Sequence, residues 1–296
     1  MIIAKLNGRL GNQMFVYATA FALSKKYGQK LAIYRFEFDV VSISEGYQLR
    51  DLRLDRCYQF CHIPFYLYGH TIRRLGCKII NTLFGKQLLT ATPAKVPSSV
   101  DLIKDVECQY TPLSFNNKKD IHILDGFWQS PIYFDEYKED ILRQFQPNYT
   151  LTDENNKWVK LIKDSEHSVS LHIRRGDYVK IGICLSLDYY EKAASLIIDK
   201  HPESTFFVFS DDIDWVSKNL KLLTPNVQYV SHLSKVRNFD DIWLMSKCDD
   251  NIIANSSYSW WGAYLNPNKE KMVIAPQRIL RNNDKILLPD WVVLNY

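Results

Sequence analysis

From residue 168 onward the chain alternates between short apolar runs and amphipathic stretches, and no other feature narrows its fold so far. The apolar runs at 168–173, 205–210, 227–230, 251–255 and 272–275 have the length of strands. Between them, 188–200, 213–222, 240–248 and 259–265 carry apolar residues at helical spacing. Strands that are apolar on both faces and are joined through helices build a parallel sheet with helices on either side. This part of the chain is predicted to be a doubly wound α/β domain.

The first 36 residues start the same pattern again. Residues 2–6 read as a strand, Gly8 and Gly11 as a turn, and Met14, Phe15, Ala18, Phe21 and Ala22 as one helix face. Gly28 is placed to end that helix in the left-handed region, and 31–36 returns as strand. Further on, 121–124 reads as a strand ending at Asp125-Gly126, and 128–145 as a helix stopped by Pro147. The polar stretch 148–166 divides the two α/β parts, so the expected domains are 1–155 and 156–296, a count that suits 296 residues. Two Rossmann-like domains facing a cleft would offer a favoured place for a ligand.

The net charge of +4 argues against a protein that binds nucleic acid by its overall field. The charge is unevenly spread. No acidic residue occurs between Asp55 and Asp101, where Arg56, Arg73, Arg74, Lys78, Lys86 and Lys95 mix with apolar residues. A basic helical insertion is expected near 56–100, either as a solvated helix face or as a contact with an anionic membrane surface. The six cysteines, Cys57, Cys61, Cys77, Cys108, Cys184 and Cys248, are scattered, as in a reducing compartment, and no Cys/His set has zinc spacing. The apolar start at 1–6 is too short for a signal peptide or a membrane span. The expected location is cytoplasmic, with peripheral contact at the inner membrane face.

Four stretches carry polar groups at predicted strand ends, where ligands of α/β sheets gather. In Leu171-His172-Ile173-Arg174-Arg175-Gly176-Asp177-Tyr178, two adjacent guanidinium forks suit a phosphate; the plainer alternative is pairing with local carboxylates such as Asp177. In Phe207-Val208-Phe209-Ser210-Asp211-Asp212, a carboxylate could cap the next helix, accept from a nucleotide, or join Asp214 in an Asp-x-Asp metal site. Asn255-Ser256-Ser257-Tyr258-Ser259 opens a helix, where hydroxyls and backbone N–H groups attract anions. Tyr258 could stack on a purine, whereas Trp260 and Trp261 read as core. Gly8-Arg9-Leu10-Gly11-Asn12-Gln13 is a glycine turn that lacks the dinucleotide pattern. No Gly-x-Ser-x-Gly elbow and no P-loop occurs.

Together these stretches, with Asp125-Gly126-Phe127-Trp128-Gln129, resemble the bacterial α-1,2-fucosyltransferases, glycosyltransferase family 11, in order along nearly the whole chain. The resemblance implies a GT-B fold with an acceptor-side N-terminal domain and a donor-binding C-terminal domain. It also implies inverting, metal-independent transfer of fucose from GDP-β-L-fucose to the 2-hydroxyl of a terminal β-galactoside. The acceptor would be a galactose-terminated oligosaccharide or lipid-linked glycan of O-antigen or capsule synthesis, with neither cofactor nor nucleic acid involved. By this similarity Arg174 holds the β-phosphate, with Arg175 beside it, and His172 lies near base or ribose. Asp211 and Asp212 fix ribose or guanine, and Ser256, Ser257 and Tyr258 close around the diphosphate. Asp125 is the first candidate for the general base and Asp177 the second. Arg9, Asn12 and Gln13 are candidate fucose or acceptor contacts. Two other classes fit the residues: a glycosyltransferase for a different nucleotide sugar, and a sugar-binding protein without turnover, to which the 14% aromatic content would be suited.

Overall fold

The structure is a computed structural model that describes residues 1–35, 46–55, 59–60, 96–105, 108–115, 118–232, 237–279 and 284–295. It falls into two compact units. The first comprises Met1–Arg50, Asp55–Trp128 and Tyr133–Tyr137; the second comprises Asp51–Leu54, Gln129–Ile132 and Lys138–Tyr296. By these contacts residues 138–155 group with the second unit, whereas the polar stretch had put them with the first. The basic insertion expected near 56–100, with Cys57, Cys61 and Cys77, lies outside the described residues except for 59–60 and 96–100.

The first unit holds a parallel sheet of β1 (Ile2–Lys5), β2 (Leu31–Tyr34), β3 (Gln59–Phe60), β4 (Val100–Lys104) and β5 (Ile121–Asp125), in the order β3-β2-β1-β5-β4. Its crossover helix α1 (Leu10–Lys26) is buried on nearly every side from Leu10 to Ser24, which suits a helix apolar all round rather than along one stripe. Gly28, at φ 61°, follows its end as expected. Strand β4 was not foreseen, because Asp101 and Lys104 interrupt its apolar residues.

The second unit contains β6 (His167–Ile173), β7 (Ser204–Ser210), β8 (Val227–Tyr229), β9 (Asp250–Ile252), β10 (Val273–Pro276) and β11 (Val292–Leu294). All pair in parallel, in the order β11-β10-β9-β6-β7-β8. Counted from β6, that is the 3-2-1-4-5-6 order of a Rossmann sheet, with its switch point between β6 and β9. Strands β6, β7 and β9 are buried on both faces, and the helix Leu187–Lys200 packs Tyr189, Tyr190, Ala193 and Ile197 against Leu171, Phe206 and Ile252.

The helices of this unit are α2 (Lys138–Gln144), α3 (Asp153–Asp164), α4 (Gly176–Lys180), α5 (Leu187–Lys200), α6 (Ile213–Asn219), α7 (Asp240–Met245) and α8 (Ser257–Tyr264). The single helix predicted over 128–145 is instead two 3-10 turns, Pro131–Tyr133 and Asp135–Tyr137, followed by α2. The reason is local: Trp128 sits at φ 54°, a left-handed conformation that a helix cannot include, and Pro131 lacks the N–H to extend a helix from before it. The polar stretch also hides α3, a helix capped by Thr152, whose side chain accepts from the Asn155 N–H at 3.1 Å. Cys108, Cys184 and Cys248 are free thiols. Among the described residues, no helix is long and apolar enough to cross a membrane.

Candidate active site

The site in the second unit lies at the switch point of the sheet. Strands β6 and β7 pair from His167↔Ser204 through Ile173↔Ser210. One residue further, that register sets Arg174 beside Asp211, and the two form an ion pair of 2.9 Å from Nη1. Nη2 of Arg174 donates to Asp177 Oδ1 at 2.7 Å, and the guanidinium lies 5.5 Å from the Tyr178 ring centre. Arg175 donates from Nε to Asp212 Oδ2 at 3.0 Å, and its guanidinium stacks on Trp215 at 3.2 Å. The backbone N–H of Arg175 donates to the other Asp211 oxygen at 2.8 Å.

This arrangement shows how each expected residue is held. Each oxygen of Asp211 accepts one bond from the arginine loop, so Asp211 orients Arg174 and Arg175. Asp177 is paired with Arg174, as the plainer alternative for it expected. Asp212 takes the cap position of α6 without making a side-chain cap hydrogen bond; its carboxylate goes to Arg175. Among the described residues no three-ligand metal cluster includes Asp212 or Asp214. Gly176 has a definite reason: a Cβ there would lie 2.4 Å from Asp211 Oδ2. Three carboxylates thus face two guanidinium groups. Neither Nη of Arg175 bonds a described residue, and each Nη of Arg174 retains a second N–H, so the forks are oriented yet still have donors to give.

Buried His172 stands beneath the arginines, with its ring 5.7 Å from that of Tyr258. Burial, and then the positive charge of Arg174, push its pKa down to about 3, so the imidazole is neutral at neutral pH. Its Nδ1 is buried and bonds no described residue, an arrangement buried polar atoms seldom keep. Ser256 caps α8, accepting from the Tyr258 N–H at 3.3 Å. Tyr258 donates its hydroxyl to the Asn238 carbonyl at 2.7 Å, and burial, followed by Asp241 and Asp240, raises its pKa. Ser257 is buried in the first turn of α8. Asn255 donates to the Ile183 carbonyl at 2.8 Å, and its Oδ1 is a second buried atom with no described partner. Trp260 and Trp261 are fully buried core residues, as expected. The Rossmann sheet therefore brings His172, Arg174, Arg175, Asp177, Asp211, Asp212, Ser256, Ser257 and Tyr258 to one end. Tyr178, Trp215 and Gly176 join them. Trp215 went unnoticed because its role depends on the turn between β7 and α6 and not on a motif.

In the first unit, the switch point of its own sheet lies between β1 and β5. There Lys5 and Asp125 are register partners, and Lys5 Nζ donates to Asp125 Oδ1 at 3.0 Å. Asp125 Oδ2 bonds no described residue. Gln13 is fully buried: it donates to the carbonyls of Gly8 and Gly46, each at 3.0 Å, and accepts from the Gln48 N–H at 3.0 Å. Its amide ties two loops together and is not open to a sugar, contrary to expectation. Arg9, exposed, and Asn12, half-buried, stand at the start of α1 beside Gly8, whose φ of 68° and 2.4 Å approach of a Cβ to Asn12 Nδ2 both require glycine. A residue missed entirely is Asp105. Its Oδ2 accepts from the N–H groups of Phe127 (3.0 Å) and Trp128 (3.2 Å), and so holds the Asp125-Gly126-Phe127-Trp128 turn.

The sequence profile of glycosyl transferase family 11 matches residues 104–295, and the chain belongs to that family. It is 32% identical to the O-antigen biosynthesis glycosyltransferase WbnK of Escherichia coli, over 98% of this chain and 99% of that protein. An alpha-1,2-colitosyltransferase of Escherichia coli is also 32% identical, over 93% of this chain and 91% of its own length. The mouse galactoside 2-alpha-L-fucosyltransferase Sec1 is 23% identical, over 99% of this chain and 73% of that protein. Among solved structures, the fucosyltransferase NodZ from Bradyrhizobium shares the fold with a TM-score of 0.50, at 12% identity, over 88% of this chain and 91% of that one. The fold class, two α/β units with parallel sheets, is that of the GT-B glycosyltransferases.

Proposed function

We propose that the protein transfers L-fucose from GDP-β-L-fucose to the 2-hydroxyl of a terminal galactoside during O-antigen synthesis, with inversion and without a metal. The observation that carries this reading is the pair of oriented arginines at the Rossmann switch point, with free N–H donors above a buried, neutral His172. In the reaction the acceptor oxygen attacks the anomeric carbon, the bond from that carbon to the β-phosphate oxygen breaks, and GDP departs with the bonding electrons. Negative charge grows on the diphosphate, and fixed cations stabilise it as it forms. Arg174 and Arg175 supply them. Asp177, the most exposed carboxylate of the cluster at 45%, gives way to the diphosphate. His172 Nδ1 and Asn255 Oδ1 are the buried polar atoms left for the nucleoside, and Tyr258 presents its ring beside them.

The acceptor proton needs a base. Asp125 is the candidate, through its free Oδ2, with Lys5 fixing the other oxygen. Asn12 and Arg9 are the candidate sugar contacts of the first unit. The donor assignment draws support from the GDP co-crystallised with a NodZ enzyme, and the acceptor from the galactoside named for the mouse relative. A cytoplasmic enzyme working at the inner membrane face on a lipid-linked glycan fits this role. A second reading, transfer of colitose, is favoured by the 32% identical colitosyltransferase. Incubation of the chain with a β-galactoside and either GDP-fucose or GDP-colitose tests both. Release of GDP with formation of an α-1,2-fucosylated product is expected; turnover with GDP-colitose alone would replace the first reading by the second, and no turnover with either would defeat both.

A further inference from the structure

The opposite end of the second sheet carries a group of side chains that the transfer reaction does not use. Strand β6 begins with His167 and β9 with Asp250, and His201 follows the last residue of α5. His167 Nε2 lies 2.8 Å from Asp250 Oδ2. The His201 ring is stacked on that of His167, with centres 3.9 Å apart and planes 15° from parallel. One ligand atom from each of the three residues lies within 4.8 Å of the others. We propose that His167, His201 and Asp250 form a binding site for a zinc-type divalent transition-metal ion.

The chemistry of the donor set is the first argument. Two imidazoles and one carboxylate suit zinc, cobalt or nickel, and neither magnesium nor calcium favours imidazole. The second is preorganisation. Asp250 is buried, and its Oδ1 accepts the Met272 N–H at 2.7 Å, which leaves Oδ2 aimed at the histidines. Partners of this kind orient metal ligands in known sites. The third is that neither ring nitrogen of His201 bonds a described residue, so its lone pair has no competing structural use.

Ligation requires a small rearrangement. Metal–nitrogen and metal–oxygen bonds of about 2.0–2.2 Å put tetrahedral ligand atoms roughly 3.4 Å apart, and a lone pair lies in the plane of its ring. His201 must therefore tilt out of the stack, as its half-buried place at the end of a helix permits. Nε2 of His167 must carry no proton when it binds the ion, so its proton moves to Nδ1 of a neutral ring or passes to solvent from an imidazolium, and water completes the coordination. Seven residues of strand, about 3.3 Å each, separate this end of β6 from Arg174, so the ion has no part in the transfer step. Its effect is to tie together β6, β9 and the end of α5.

The full chain, free of any polyhistidine tag and with its thiols reduced, is titrated with Co²⁺ and with Zn²⁺. One Co²⁺ per chain is expected, with the visible bands of nitrogen and oxygen ligands and no thiolate charge-transfer band. A His201→Ala variant and a His167→Ala variant should each bind at least tenfold more weakly, and saturating Zn²⁺ should raise the melting temperature of the wild type but not of His201→Ala. His201 packs at the surface, so that variant decides the matter even if His167→Ala folds poorly. Binding that is absent, carries a thiolate band, or is equal in wild type and His201→Ala would overturn the site.

Discussion

Replacement of Arg174 by alanine separates its role in the reaction from its role in the fold. Its Nη1 and Nη2 each hold a carboxylate now, at 2.9 and 2.7 Å, and each keeps one N–H for the diphosphate. A charge-assisted hydrogen bond contributes roughly 1.5–3 kcal/mol. Two such bonds to the departing GDP amount to about 3–6 kcal/mol, or roughly 10²- to 10⁴-fold in kcat/KM at about 1.4 kcal/mol per decade. The loss to folding is much smaller. Asp177 is well exposed, and Asp211 keeps the Arg175 N–H, so the variant should lose about 1 kcal/mol and its melting temperature should fall by about 2–4 °C. Arg174→Lys keeps the charge but not the fork, and should fall between alanine and wild type. The assay is GDP release from GDP-fucose with a galactoside acceptor, run beside a thermal melt. Folded Arg174→Ala with kcat/KM within threefold of wild type would refute the reasoning.

Gly176→Ala should displace Asp211, because its Cβ would stand 2.4 Å from Oδ2; a loss of about 1–3 kcal/mol in stability and weaker GDP binding by calorimetry are expected. His232 supplies a pH dependence. Burial disfavours its charge, but the hydrogen bond and field of Asp241, joined by Glu154 and Asp240, outweigh this, and its pKa is raised above 6.5. The stability it contributes is fully present below 6.5 and is lost as the pH rises through the raised value. Melting temperatures from pH 6 to pH 9 should therefore show a decline that His232→Gln reduces. Chelation with EDTA should leave transfer intact; activity lost in EDTA and restored by manganese would bring Asp212 and Asp214 back as ligands.

Legibility of the fold followed burial. Strands β7 and β10 are largely apolar and covered on both faces, and β6 and β9, though they carry polar residues, overlap apolar runs that were plain in the sequence. Short or half-exposed elements such as β4, β11 and α4 were not, since mixed exposure leaves no clean period. Within the second sheet, the motif residues that follow β6, β7 and β9 lie at one end, because a parallel sheet delivers all its carboxyl ends there. Which of them are free was not legible. Arg174 meets Asp211 because the β6–β7 register continues one residue beyond the strands, and Lys5 meets Asp125 through the β1–β5 register. Pairings of that kind depend on alignment between strands, which local spacing does not encode. Gln13 misled for a related reason: a polar residue on an apolar helix can mark a ligand or, as here, a buried bridge between loops.

The most direct measurement is the position of the donor in crystals soaked with GDP-fucose. The account predicts diphosphate oxygens within hydrogen-bonding distance, about 3 Å, of the Arg174 and Arg175 guanidinium groups, with the nucleoside against His172 and Tyr258. A donor bound elsewhere, with both arginines still closed on Asp177, Asp211 and Asp212, would contradict it.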